Sequence, residues 1–257
     1  MKTITLPVYN RPNRLREMLE ALKANRTEGY TLFVAAEPGC PEVIDIVKAI
    51  DFMPVVLRVN KKRLGLQANV PLAMRWAMNE GSQFNIYLED DVILSRDALD
   101  LAEWFRKFDL NAEYACLSLM TFGGNLFRPN MVSETQDIQS WGLCFSVESW
   151  HKWVAHGLGF RWPIQPGVQW SEGWDFWLAF YLMMHGVKNL RPAVSRAKHV
   201  GYTDGVHLHE TEGLWDSYEQ VALSDGTCRG PFYVKKLPAH TWEMARKLSH
   251  ENLGIAV

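Results

Sequence analysis

The sequence predicts an α/β fold, with a mostly parallel sheet flanked by helices and an irregular second half. Three observations carry that expectation. Strand and helix patterns alternate through the first 88 residues. The connections between them are short, which places helices on both faces of a parallel sheet. The fourth strand runs directly into Glu89-Asp90-Asp91, at the carboxyl edge where sheets of this kind bind ligands.

Residues 2–8 (KTITLPV) read as the first strand. Residues 12–25 read as a helix: Pro12 suits its first turn, and Leu15, Met18, Leu19 and Leu22 recur at helical spacing. Residues 31–36 (TLFVAA) form a second strand, and residues 41–50, opening at Pro41, a second helix. Residues 54–59 make a third strand. Residues 67–80 make a third helix, with a bend expected at Pro71. Residues 84–88 (FNIYL) make the fourth strand.

Patterning then weakens. A helix is expected over 97–108, a strand over 114–120 and a loop-rich stretch over 121–140 with a turn at Gly123-Gly124-Asn125. A strand over 141–147, a helix over 148–156, a loop over 157–173, a helix over 174–185 and a strand over 187–191 follow. The tail has no strong period apart from a closing helix over 241–250. No linker or repeat interrupts the 257 residues, so a single domain is expected.

Composition narrows the class. Hydrophobic residues make up 47% and charged residues 22%, enough for a large core. A net charge of −2 gives no overall attraction to nucleic acid or anionic membrane. The four cysteines Cys40, Cys116, Cys144 and Cys228 contain no C-x-x-C pair and are expected as buried free thiols. No stretch approaches the roughly 20 apolar residues of a membrane span, and the start resembles a strand rather than a secretory leader. A soluble, cytoplasmic protein without stable membrane insertion is the expectation. No G-x-S-x-G, P-loop or G-x-G-x-x-G pattern occurs, which removes the simplest hydrolase, P-loop and dinucleotide readings.

The acidic triplet is the first chemical signal. Adjacent carboxylates repel unless a cation is shared. Mg²⁺ or Mn²⁺ bridging a diphosphate would relieve that repulsion, and the rigid strand before the triplet would aim the side chains. A solvated turn is the alternative. The second signal is Ser171-Glu172-Gly173-Trp174-Asp175-Phe176-Trp177. Asp175 there is either a helix cap or a general base facing a sugar hydroxyl. Among eight histidines, the His207/His209 pair reads as surface, while His199 is a candidate metal or phosphate contact.

The ordered set Tyr9-Asn10-Arg11-Pro12, an acid after strand two, Glu89-Asp90-Asp91, Trp174-Asp175-Phe176-Trp177 and Arg191-Pro192-Ala193-Val194-Ser195-Arg196 resembles the glycosyltransferases of the type A fold, a Rossmann-like architecture. It looks most like the inverting N-acetylglucosaminyltransferase I and its relatives, over residues 2–207. That resemblance implies a metal-dependent transfer of a sugar from a UDP-sugar, UDP-GlcNAc or UDP-Glc, to an acceptor hydroxyl. By the same resemblance Asp91 binds the Mn²⁺ (or Mg²⁺), and His199, from the residue pattern alone, is a candidate further ligand. Asp90 and Glu89 contact ribose or donor sugar, Arg11 the nucleotide, and Glu37 and Asn69 the base. Asp175 is the catalytic base, and Trp141, Trp174 and Trp177 stack on sugar or acceptor. Two departures stand out: Glu37 replaces an Asp, and Asn69 falls where the family has a uracil-facing His. Residues 1–115 would form the nucleotide-sugar half and 116–257 the acceptor half. The acceptor could be a glycan or hydroxymethylated bases in DNA. A nucleotidyltransferase and a non-catalytic nucleotide-sugar-binding module remain as readings from other classes.

Overall fold

The computed structural model describes residues 1–109, 112–122, 128–159, 173–201, 221–228 and 230–238. The turn expected at Gly123-Gly124-Asn125, most of the 157–173 loop, the His207/His209 pair and the helix over 241–250 lie outside the described residues.

The first half follows the alternating pattern closely. Strand β1 (Lys2–Val8) leads to α1 (Pro12–Lys23), β2 (Tyr30–Ala36) to α2 (Pro41–Lys48), and β3 (Val55–Val59) to α3 (Leu66–Asn79), which precedes β4 (Phe84–Tyr87). Pro12 and Pro41 occupy the first turns of their helices, where a missing N–H costs nothing. The apolar stripe Leu15, Met18, Leu19 and Leu22 is the buried face of α1. Helix α3 continues through Pro71.

The second half contains β5 (Val92–Leu94), α4 (Ala98–Phe108), β6 (Tyr114–Ser118), β7 (Met131–Thr135) and β8 (Leu143–Ser146). A helical run follows: α5 (Val147–Ser149), a π-helical turn (Trp150–Val154) and α6 (Ala155–Gly159). Then come α7 (Trp174–Met184), β9 (Lys188–Pro192), β10 (Ala197–His199) and β11 (Tyr233–Lys235). Strands β5, β7, β10 and β11 were not legible in the sequence. Each is three to five residues long and each pairs with a strand distant in sequence, so no local period announces it.

The large sheet has nine strands in the order β11-β7-β9-β6-β8-β4-β1-β2-β3. Pairing is parallel from β4 through β1 and β2 to β3, while β8 runs antiparallel between β4 and β6. The expected mostly parallel α/β sheet is therefore observed, with an antiparallel insertion. Period-two alternation sends successive side chains to opposite faces. Ile86 joins the core against α1 and α4, and Tyr87 joins the core against α3, α7 and the Trp150 turn. Buried polar residues on β1 are satisfied: Thr3 and Thr5 each donate to Asn85 Oδ1 at 2.7 Å. Cys116 and Cys144 are buried thiols, whereas Cys40 and Cys228 are only half-buried; all four are free. No helix among the described residues is long and apolar enough to cross a membrane.

Candidate active site

Because β1 and β4 are parallel neighbours, the segments leaving their carboxyl ends emerge side by side. One is Tyr9-Asn10-Arg11 and the other is Glu89-Asp90-Asp91. The acids occupy a tight turn closed by Val92 N–H donating to Glu89 O at 3.2 Å. Arg11 forks across the turn. Its Nη1 donates to Asp91 Oδ2 at 2.5 Å and its Nη2 donates to Asp90 Oδ1.

The second partner of Asp91 comes from far along the chain. Strand β5 begins one residue after Asp91 and pairs antiparallel with β10, setting His199 opposite Val92. His199 Nε2 then lies 3.2 Å from Asp91 Oδ2. Asp91 Oδ1 is buried and has no hydrogen-bond partner among the described residues. Val200 N–H donates to Asp91 O at 2.9 Å, which brings Gly201 against the carboxylate. A Cβ on Gly201 would stand 2.0 Å from Asp91 Oδ2 and 3.0 Å from His199 Nε2, so only glycine permits this approach.

The Arg191–Arg196 segment keeps β10 in place. Arg196 is fully buried and paired with Asp97 at 3.2 Å. Its guanidinium also donates to Val194 O and Pro129 O, each at 2.6 Å. Ser195 Oγ accepts from Thr121 N–H at 3.0 Å. These contacts fix the backbone three residues before His199.

Asp175 reaches the same place from the opposite side. Helix α7 starts at Trp174 with Gly173 in the N-cap position, so Asp175 lies within the first turn and is not the cap. Its Oδ1 accepts from Phe176 N–H and its Oδ2 accepts from Ser140 Oγ, both at 3.0 Å. Trp174 packs edge-on against Tyr87 at 4.9 Å, tying the start of α7 to the end of β4.

These groups line one cavity of about 450 Å³, together with Trp141, Tyr9, Arg63, Glu37 and Asn69. That volume suits a small organic ligand. Trp141 lies 4.8 Å from the His199 ring, and the Arg63 guanidinium lies 4.5 Å over Tyr9.

Three expected roles read differently in the structure. Trp177 lies on α7 almost a turn past Trp174; it is buried and is not among the cavity's lining residues. Glu37 borders the cavity, but its oxygens accept from Leu64 N–H at 3.0 Å and Gly65 N–H at 2.8 Å, anchoring the entry to α3. Asn69 donates to Ala35 O at 3.0 Å and accepts from Asn60 Nδ2 at 2.9 Å, so it braces the same loop. Ser140, Gly201 and the Tyr9–Arg63 pair escaped the sequence reading as site residues. Ser140 is 35 residues from Asp175 and no local pattern marks it.

The cluster is electrostatically tense. Burial, then the neighbouring Asp91, pushes the Glu89 carboxyl up to about 8. Burial raises Asp90 to about 6 against the opposing pull of Arg11. Asp91 goes the other way. Burial would raise it, but hydrogen bonding and charge from His199, joined by Arg11, hold it below the ordinary range. Asp91 has two hydrogen-bonding partners, Arg11 and His199, where Asp90 has Arg11. Burial would lower Arg11, yet Asp90 and Asp91 more than compensate and raise it.

The fold is shared with crystal structures of S. aureus TarS. A TarS 1–349 complex with UDP-GlcNAc superposes with a TM-score of 0.55 at 12% identity, over 98% of this chain and 73% of that one. A TarS 1–349 complex with UDP gives 0.50 at 12% identity, over 100% and 66%. A further TarS structure gives 0.52 at 13% identity, over 76% of this chain and 35% of that one. The chain thus spans about a third of that longest TarS chain and at most 73% of the 1–349 chains. No family model and no curated protein sequence matches the chain. The comparison establishes the architecture: a large central α/β sheet flanked by helices, as in the TarS structures.

Proposed function

We propose that this protein is a nucleotide-sugar glycosyltransferase that transfers a sugar from a UDP-sugar to an acceptor hydroxyl with inversion. The observation that carries the reading is one cavity shared by both halves of the chain. It joins Asp91, His199 and Arg11 at the carboxyl edge of the sheet to Asp175 at the start of α7. Support for the donor class comes from the shared fold with TarS, a glycosyltransferase with UDP and UDP-GlcNAc complexes. The finer resemblance to N-acetylglucosaminyltransferase I supports inversion.

The residues present fit a divalent cation. Asp91 offers a buried oxygen, Oδ1, without a hydrogen-bond partner among the described residues, and His199 Nε2 stands 3.2 Å from its other oxygen. Among the described residues no three His, Cys, Asp or Glu side chains form a ready cage. Mg²⁺ is commonly bound through one or two carboxylates and completes its shell with substrate phosphates and water. Asp91 and His199 would hold it. When bound, the cation would neutralise charge on the departing diphosphate.

The chain's own residues do the rest. The acceptor oxygen bonds to the anomeric carbon as the bond to the diphosphate oxygen breaks, and the electron pair leaves with UDP. Asp175 takes the acceptor proton, and Ser140 holds its carboxylate in orientation. Attack opposite the leaving group inverts the centre. Trp141 and Trp174 wall the cavity and restrict water, which would otherwise hydrolyse the donor. Residues 1–115 serve the donor and 116–257 the acceptor, except that His199 returns from the second half to the donor's cation.

The test is a thermal-shift screen of UDP, UDP-GlcNAc and UDP-Glc with Mn²⁺, Mg²⁺ or chelator, alongside UDP release with candidate acceptors. Stabilisation that needs both nucleotide and cation supports the reading. Indifference to every UDP compound in the presence of cation refutes it.

A further inference from the structure

Arg11 occupies a place that the proposed function needs for something else. Its guanidinium spans Asp90 and Asp91, whose side chains are 5% and 3% exposed, while its own side chain is 26% exposed toward the cavity. Two adjacent buried carboxylates stay ionised only when a cation neutralises them. In the structure that cation is Arg11, and His199 is hydrogen-bonded to Asp91.

A divalent ion held by Asp91 and His199 would meet the guanidinium 2.5 Å from the oxygen that lies beside His199 Nε2. The ion at Asp91 Oδ1 and the guanidinium at Oδ2 would share one carboxylate and repel each other. Arg11 sits in the loop before α1, at an N-cap position where its side chain makes no capping bond to the helix. Rotation about its side-chain torsions can therefore release the carboxylates without unfolding an element. Once released, a guanidinium in that cavity needs a new anion, and a planar fork suits a phosphate as well as a carboxylate.

We propose that Arg11 is an exchangeable counter-ion. It guards Asp90 and Asp91 in the free protein, yields Asp91 to the divalent cation, and turns to the donor's diphosphate. This rests on the donor and cation reading above. The consequence is positive coupling: cation alone must displace Arg11 with nothing to receive it, and diphosphate alone must draw Arg11 off two bare carboxylates. Bound together, each removes the other's obstacle, and the coupling is reciprocal.

The experiment follows free Mn²⁺ by its paramagnetic resonance signal during titration of the full chain, with and without UDP. Wild type and Arg11→Met are compared, and folding is checked by melting. In the wild type UDP should tighten Mn²⁺ binding on the order of tenfold or more. Arg11→Met should bind Mn²⁺ without UDP on the order of tenfold tighter than wild type, and gain less from UDP. Equal Mn²⁺ affinity of the two UDP-free proteins, with UDP still tightening both, would overturn the exchange while leaving the donor reading intact. A wild type that binds neither Mn²⁺ nor UDP would overturn both. If Arg11→Met does not fold, Arg11→Lys carries the test. It keeps the charge but loses the two-carboxylate fork, and wild-type Mn²⁺ affinity in that variant would overturn the proposal.

Discussion

Two buried arginine–carboxylate clusters lie along the same stretch of this fold, and they are built to opposite ends. In one, Asp97 accepts from Ser95 at 2.6 Å, from Ser224 at 3.0 Å and from Arg196 at 3.2 Å, with both charged residues fully buried. One acid meets one base and the hydroxyls saturate the remainder. In the other, Arg11 serves Asp90 and Asp91 beside Glu89, with an orphaned oxygen on Asp91 and a cavity in front. Carboxylates are in excess there. A closed, neutral cluster can only hold structure. An open cluster with surplus negative charge can exchange partners, which is what a site for a cation and its anionic ligand requires. The two are mechanically linked, since Arg196 anchors the segment that delivers His199 to Asp91.

The largest effect that tests this contrast is in the closed cluster. Arg196→Met leaves Asp97 buried without its counter-charge and should cost about 3–5 kcal/mol of stability. Chemical denaturation measures this, and a loss below about 1 kcal/mol would mean the pair behaves like a surface salt bridge. In the open site, Asp175→Asn should leave stability within about 0.5 kcal/mol of wild type. UDP binding should be preserved while sugar transfer falls about 10²–10⁴-fold. A joint loss of nucleotide affinity and transfer would reassign Asp175 to donor binding.

The smallest effect is a pH dependence. Glu89 is raised from an ordinary 4.5 to about 8 by burial and by Asp91. Below the ordinary value both folded and unfolded chains carry the proton, and its contribution to stability is complete. As pH rises toward 8 the unfolded chain releases that proton first, so stability falls across the window. Without divalent cation the wild type should therefore lose melting temperature between about pH 4.5 and 8. Glu89→Gln should lose less, keeping only the shallower slope of Asp90, whose rise to about 6 is the weaker of the two. Identical pH profiles would place Glu89 outside the tense cluster.

The sequence by itself determined the alternating first half, because there each strand and helix carries its own period and its own punctuation. Pro12 and Pro41 open helices, Leu15 to Leu22 trace a buried stripe, and the apolar run before Glu89 marks a buried strand. It also determined that Arg11 and the acids share an edge, since parallel strands send their carboxyl ends the same way. The pairing of β5 with β10 was decided only in three dimensions. Three-residue strands more than 100 residues apart have no periodicity to read, yet their register sets His199 on Asp91 and demands glycine at 201. Ser140 met Asp175 for the same reason. The fates of Glu37, Asn69 and Trp177 were likewise tertiary. A polar or aromatic side chain suited to a ligand is equally suited to a backbone amide or a core. Which it meets depends on the direction its Cβ takes from an element whose placement is set by distant contacts.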